Sequence, residues 1–194
     1  MAEILGKQDE YVNEAFNGLS CVADSFDHQQ FDSCRFKSCD FNHAVFNTCS
    51  FVDCYFSQCN LSLVKLISCK FNNVQFEHCK LLGIDWTQAD WSGFGGAAVA
   101  FEHCILNNAS FFGLNRIEHC KMHDVDFREA NFKQASLIGT DLLNSLFNNT
   151  NLSKADFTEA TNYHIDVFNN NIRQATFSRV EALHLLESLG IKLV

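Results

Sequence analysis

Between Phe26 and Trp91 every fifth residue is large and apolar: Phe26, Phe31, Phe36, Phe41, Phe46, Phe51, Phe56, Leu61, Leu66, Phe71, Phe76, Leu81, Trp86 and Trp91. A run of this length arises by chance with a probability on the order of 10⁻⁹. The period fits neither a helix, which repeats at 3.6, nor a flat strand, which repeats at 2. It fits a backbone that turns a corner every five residues and returns the same position to the inside. Four such sides close a square coil of about twenty residues, and coils stack as neighbouring strands do. The position two before each large residue is small or medium and mostly apolar: Cys34, Cys39, Ala44, Cys49, Cys54, Cys59, Val64, Cys69, Val74, Cys79, Ile84, Ala89. Residues two apart in an extended segment point the same way, so each side sends one large and one smaller residue inward. The remaining three face water. This predicts an all-β chain, a quadrilateral β-helix of about eight coils, closed by a short C-terminal α-helix.

The same phase divides the chain. In residues 1–25, Phe16 and Cys21 keep phase but Glu14 and Leu19 do not fit the small position, so an imperfect first coil is expected. Residues 92–100 interrupt the repeat: Gly96 occupies a slot for a large residue, yet Phe101, Leu106 and Phe111 resume in the old phase. Either one side is degenerate or a small loop bulges out, with Phe94 off the inward phase. Over residues 112–116 the phase slips by one, as a bulge near Gly113 would cause. It then holds through Ile117, Met122, Phe127, Phe132, Leu137, Leu142, Phe147, Leu152 and Phe157. Asn162 breaks it, and Val167, Ile172 and Phe177 keep it. The solenoid is therefore assigned to residues 1–177. In residues 178–194, Ser178 and Glu181 form a capping-box pattern. Val180, Leu183, Leu186 and Leu189 follow at helical spacing, and Gly190 is a stop. This helix suits the open end of the last coil. With Ile191 and Leu193 of the apolar tail, Leu183, Leu186 and Leu189 also suit a second copy.

The net charge of −9 argues against direct binding of nucleic acid or an anionic membrane and for a basic partner surface. Absence of proline suits a backbone committed to ladders. The N-terminus lacks a secretory pattern and no apolar run reaches membrane length, so a cytoplasmic protein is expected. Nine of ten cysteines sit at the small inward position without a C-x-x-C pair, which reads as core and not as metal or disulfide. His28, His43, His78, His103 and His119 all sit two after a large residue, at an outward corner. Counted by twenties, His43 shares a side with His103 and His78 with His119, too far apart to share a metal. No phosphate loop or catalytic triad pattern is present. A protein that is not an enzyme, with no cofactor and no metal, is the expectation.

The five-residue pattern resembles the pentapeptide-repeat family over about residues 26–177. That resemblance implies a right-handed quadrilateral β-helix. Leu82-Gly83-Ile84-Asp85-Trp86, the stretch from Phe101 to Asn107 and the stretch from Asn162 to Asn169 are similar to segments of the albicidin-resistance, microcin-immunity and quinolone-resistance group. The ending from Leu186 to Ile191 is similar to that group's dimerising tail. The resemblance implies a homodimer that imitates duplex DNA and binds DNA gyrase or topoisomerase IV, giving resistance to an antibiotic or toxin. Asp85, Asp90, Phe94, Glu102, Asp126 and Asp141 are the expected partner contacts. Long projecting loops are missing, which favours a peptide-like gyrase toxin over a quinolone. An interaction scaffold unrelated to topoisomerase is the alternative.

Overall fold

The computed structural model describes Leu5 and residues 8–92, 99–114 and 117–191. The chain winds as a four-sided parallel β-solenoid of about eight turns with one short C-terminal helix. The first side is built on Tyr11, Phe31, Phe51, Phe71 and Trp91 and continues as Ile117, Leu137, Phe157 and Phe177. The second runs through Phe16, Phe36, Phe56, Phe76, Phe101, Met122 and Leu142. Cys21, Phe41, Leu61, Leu81, Leu106, Phe127, Phe147 and Ile165 make the third. Phe26, Phe46, Leu66, Trp86, Phe111, Phe132, Leu152 and Ile172 make the fourth.

Pairing in register at one coil apart forces identical side chains to stack. Down the second side, Phe16, Phe36, Phe56, Phe76 and Phe101 lie ring over ring at 4.9, 4.5, 5.0 and 5.4 Å. Neighbouring sides meet edge to face, as Phe31 and Phe36 do at 73°. Both arrangements suit the ring quadrupole, and each buried ring contributes about 1.5–3 kcal/mol of transfer energy. The corners carry the opposing cost. At most corners one residue is left-handed, among the non-glycines from φ 50° at Asp53 to φ 62° at Glu129, which costs a side chain roughly 1–2 kcal/mol.

Before the last coil, two register steps depart from twenty. Phe76 pairs with Phe101, twenty-five residues on, so the interruption inserts five extra residues between two sides and adds no side of its own. The interruption itself, including Phe94 and Gly96, lies outside the described residues. Phe101 then pairs with Met122, twenty-one residues on. This is the expected one-residue slip, and it falls between Phe111 and Ile117.

Corner chemistry differs along the chain. Where the small inward residue is alanine, its N–H usually closes a tight turn onto the carbonyl of the large residue three before, as at Ala44 (2.8 Å), Ala109, Ala130, Ala135, Ala155, Ala160 and Ala175. Where it is cysteine, the corner opens into a longer strand and the thiol does the capping. Cys54 Sγ donates to Phe31 O (3.4 Å) one coil back and to Val52 O (3.3 Å). Cys34, Cys39, Cys49, Cys59, Cys79 and Cys104 repeat the pair of bonds. All ten cysteines are free and buried.

The ends correct the sequence reading in four places. Tyr11 fills an inward slot below Phe31 at 5.2 Å, so regular stacking starts a side earlier than Phe16. In the last coil Tyr163 and Ile165 turn inward and Val167 is only half-buried. The chain there shortens one side, and Phe147 pairs with Ile165 instead of Val167. The C-terminal helix, Glu181–Leu189, is 3₁₀ and not α. Its capping box does not form: Val180 is the N-cap, with no side-chain cap bond. Ser178 and Glu181 instead face the solenoid. Ser178 Oγ accepts from Glu159 N (2.7 Å), Glu181 Oε2 from Asn162 N (3.3 Å) and Ser188 Oγ from Val167 N (3.4 Å). These amides have no further coil to pair with, so the side chains of the C-terminal segment supply their acceptors. Gly190 ends the helix in the left-handed conformation, as expected.

Candidate interaction surface

The exterior is four ribbons of polar residues, and the register assigns the charges at the outward repeat positions to one or another of them. On the first side stand seven carboxylates, Glu10, Asp32, Asp53, Asp90, Glu118, Asp156 and Glu159, against Lys70 and Arg179 among the described residues. The second side mixes Glu77, Glu102, Asp124 and Asp141 with Arg35, Lys37 and Lys121. Asp40, Asp126, Glu129 and Asp166 stand on the third with Lys80 and Arg128. The fourth side carries carboxylates only in its first coils and at Asp85.

The partner contacts expected from sequence are not brought together. Asp85 is on the fourth side, where its carboxylate caps a 3₁₀ turn by accepting from Thr87 N (3.1 Å) and Thr87 Oγ1 (2.6 Å). Asp90 is on the first side, and its pKa is lowered by hydrogen bonds from Ser92 and by Lys70 at 3.7 Å. Glu102 and Asp141 share the second side. Glu102 pairs with Lys121 at 3.3 Å, and Asp141 with His123 at 2.7 Å and Asn162 at 2.8 Å. Asp126, on the third, is held by Arg128 at 2.6 Å. Partial burial works to raise both Asp126 and Asp141. Arg128 outweighs it at the first, and Asn162 with His123 at the second, so both carboxyls titrate below their usual range. Phe94 lies outside the described residues. Each of the five described carboxylates is already hydrogen-bonded or ion-paired within the rod, so none is an unpartnered acid awaiting a ligand.

The histidines are arranged differently from the sequence expectation. The five inserted residues move His103 directly above His78, where the rings stack at 4.7 Å and 8°. His103 Nδ1 is 3.6 Å from Asp124, and His78 Nε2 is 3.8 Å from Glu77. Counting by twenties could not find this pair without knowing where the insertion lay. Among the described residues no group of three or more histidines, cysteines or carboxylates is placed to hold a metal ion. None of the helices there is long and apolar enough to cross a membrane.

The helix presents a second surface. A 3₁₀ helix turns every three residues, so residues three apart eclipse and Val180, Leu183, Leu186 and Leu189 form one ridge. Val180 is 75 % exposed, Leu183 47 %, Leu189 46 % and Ile191 48 %; Leu186 is half-buried. Leu193 lies outside the described residues. Leu185, off the ridge and not singled out by the helical spacing, packs on the core instead.

Comparison with known proteins bears on the fold. No curated protein matches the sequence. Among solved structures, two trypsin-treated variants of QnrB1, a plasmid-mediated fluoroquinolone resistance protein, are similar. One is 18% identical with a TM-score of 0.58, covering 95% of this chain and 99% of that one. The other is 20% identical with a TM-score of 0.50, covering 95% and 91%. HetL of the cyanobacterium Nostoc sp. strain PCC 7120, a pentapeptide repeat protein involved in heterocyst differentiation regulation, is 11% identical with a TM-score of 0.39 over 87% of this chain and 85% of its own. The family model described as pentapeptide repeat region matches residues 29–111 and 116–185. Together with the five-residue register observed on all four sides, that match makes the chain a member of the pentapeptide-repeat family.

Proposed function

We propose that the protein acts by binding, without turnover, as a stiff acidic rod that docks on the cationic DNA-binding surface of a type II topoisomerase, DNA gyrase or topoisomerase IV. By doing so it protects the enzyme from a quinolone or an albicidin-like toxin. The observation that carries this reading is the first side, whose seven carboxylates run from the first coil to the last. Such a face complements a basic saddle, and a rod whose amides are already committed to ladders loses little conformational freedom on docking. Fluoroquinolone resistance is the role of QnrB1, whose fold is similar over 95% of this chain. The working form is a homodimer joined through the ridge of Val180, Leu183, Leu186 and Leu189. Two rods of eight coils at ~4.8 Å per coil span about 80 Å, the length of roughly 23 base pairs. Ten free thiols suit a reducing cytoplasm.

A second reading, an interaction scaffold unrelated to topoisomerase, is favoured by one observation: Asp85, Asp90, Glu102 and Asp126 stand on four different sides. Supercoiling by gyrase, with the protein titrated in and with or without a quinolone or albicidin, separates the two. Rescue of the poisoned enzyme is expected, and no effect on gyrase or topoisomerase IV would leave the scaffold. Light scattering is expected to show a dimer that Leu183→Asp with Leu189→Asp converts to a monomer.

A further inference from the structure

Charge on the C-terminal half of the rod is sorted by side. From Ser110 onward, Glu118, Asp156 and Glu159 stand on the first side, Asp124 and Asp141 on the second, and Asp126, Glu129 and Asp166 on the third. The fourth side has none. Its outward residues there are Phe112, Lys133, Lys154 and Arg173, set among serine, asparagine, glutamine and Gly113. Elsewhere in this half the cations are mostly spent within the rod, as Lys121 is on Glu102 and Arg128 on Asp126. Lys133, Lys154 and Arg173 have no carboxylate within ion-pair distance among the described residues. They occupy three consecutive coils, and Phe112, 45 % exposed, occupies the coil before. Lys133 Nζ sits 5.8 Å from the centre of the Phe112 ring, which holds the cation at the end of the strip.

We propose that this strip docks a short acidic protein segment in extended conformation. Four coils separated by ~4.8 Å make a track of about 14 Å, which an extended chain covers in about four residues. The cations are fixed on a rigid ladder; the strip's asparagines brace it, Asn131 and Asn171 accepting from Lys133 N and Arg173 N, and the Gln134 and Gln174 amides offer hydrogen bonds to a peptide backbone. Width selects the kind of anion. Glu129 stands at the corner toward the third side and Asp156 on the adjoining first side. A duplex broad enough to overhang the strip meets both carboxylates, whereas a single extended segment lies between them. This surface is independent of the topoisomerase reading, because it uses the one side that a cationic saddle would repel.

The test is fluorescence anisotropy with the full chain and three labelled probes: Leu-Glu-Glu-Glu-Glu-Gly, its counterpart with glutamine for glutamate, and a duplex of twelve base pairs. The glutamate peptide is expected to bind at least ~10-fold tighter than the glutamine peptide, and to weaken as salt rises from about 50 to about 300 mM. The variant Lys133→Glu/Lys154→Glu/Arg173→Glu is expected to lose at least ~10-fold, while Arg35→Glu/Lys37→Glu on the second side binds unchanged. Thermal unfolding followed by circular dichroism checks that the variants fold. Should the triple variant fail that check, Lys154→Gln/Arg173→Gln replaces it, with a loss still expected. Equal affinity for the two peptides, equal loss in the control variant, no loss in the strip variant, or tighter binding of the duplex would each overturn the proposal.

Discussion

The two halves of the rod solve the same corner in different ways. Before the interruption most small inward positions are cysteine, and a thiol caps the carbonyl of the large residue one coil below. After it most are alanine, serine or threonine, and the chain's own N–H usually caps the carbonyl of the large residue within the corner. Where the second half needs a side-chain donor it uses oxygen: Thr140 Oγ1 to Ile117 O (2.9 Å), Ser145 Oγ to Met122 O (2.7 Å) and Thr150 Oγ1 to Phe127 O (3.1 Å). The geometry served is the same, since each thiol or hydroxyl bond reaches back one coil to the same carbonyl position. What differs is softness. A thiol is a larger apolar body and a weaker donor than a hydroxyl, so it leaves the corner open and the strand longer. The lesson is that the repeat requires a capped carbonyl and leaves the sequence free to choose the donor.

The largest test of this contrast is pH. Burial pushes the Cys54 thiol up from 9.0 to about 12, and contact with Cys104 leads the shift of Cys79 to about 12. A thiol with a raised folded pKa favours its protonated form in the fold. Its contribution is complete below pH ~9 and is lost as pH climbs toward ~12. Hydrogen exchange at alkaline pH is therefore expected to open the N-terminal half first; uniform opening would remove the contrast. Next in size, Phe56→Ala, in the unbroken ring column, is expected to destabilise by about 3–5 kcal/mol in urea titration. A third test addresses the donor itself. Cys59→Ala removes the caps on Phe36 O and Ser57 O and is expected to cost about 1–2 kcal/mol, while Cys59→Ser keeps a donor and costs less. A serine variant no better than alanine would mean that volume, and not capping, selects cysteine. Smallest is Ser178→Ala, which strips the partner of Glu159 N and is expected to cost about 0.5–1.5 kcal/mol, seen as faster exchange confined to the last coil.

Periodicity made the fold legible because two positions in every five carry nearly all the burial. The ring columns, a one-residue slip between Phe111 and Ile117 and the cysteines as core were all readable from spacing, although Gly113 itself holds a regular corner position, its N–H donating to Lys133 O. What spacing could not supply was anything that depends on where inserted residues go. The His78–His103 stack exists only because five residues leave the ladder between two sides. The C-terminal element misled for a related reason. Ser178 and Glu181 have the spacing of a capping box, but the amides competing for them belong to Glu159 and Asn162, about twenty residues away in sequence. The expected partner carboxylates follow from the family resemblance, which does not encode the side on which a residue stands.

The two register steps have a further meaning. A coil works like a reading frame with a word length of five: an insertion of five, as between Phe76 and Phe101, leaves every later residue in its old role, whereas an insertion of one must be absorbed at a corner before the next word begins. Such a chain can lengthen, shorten or acquire appendages in whole words while its interior stays legible to the coil above and below. Its surface, by contrast, is rewritten each time, because every inserted word changes which outward residues become neighbours. New surfaces are thus obtained by editing length, with the core left unaltered.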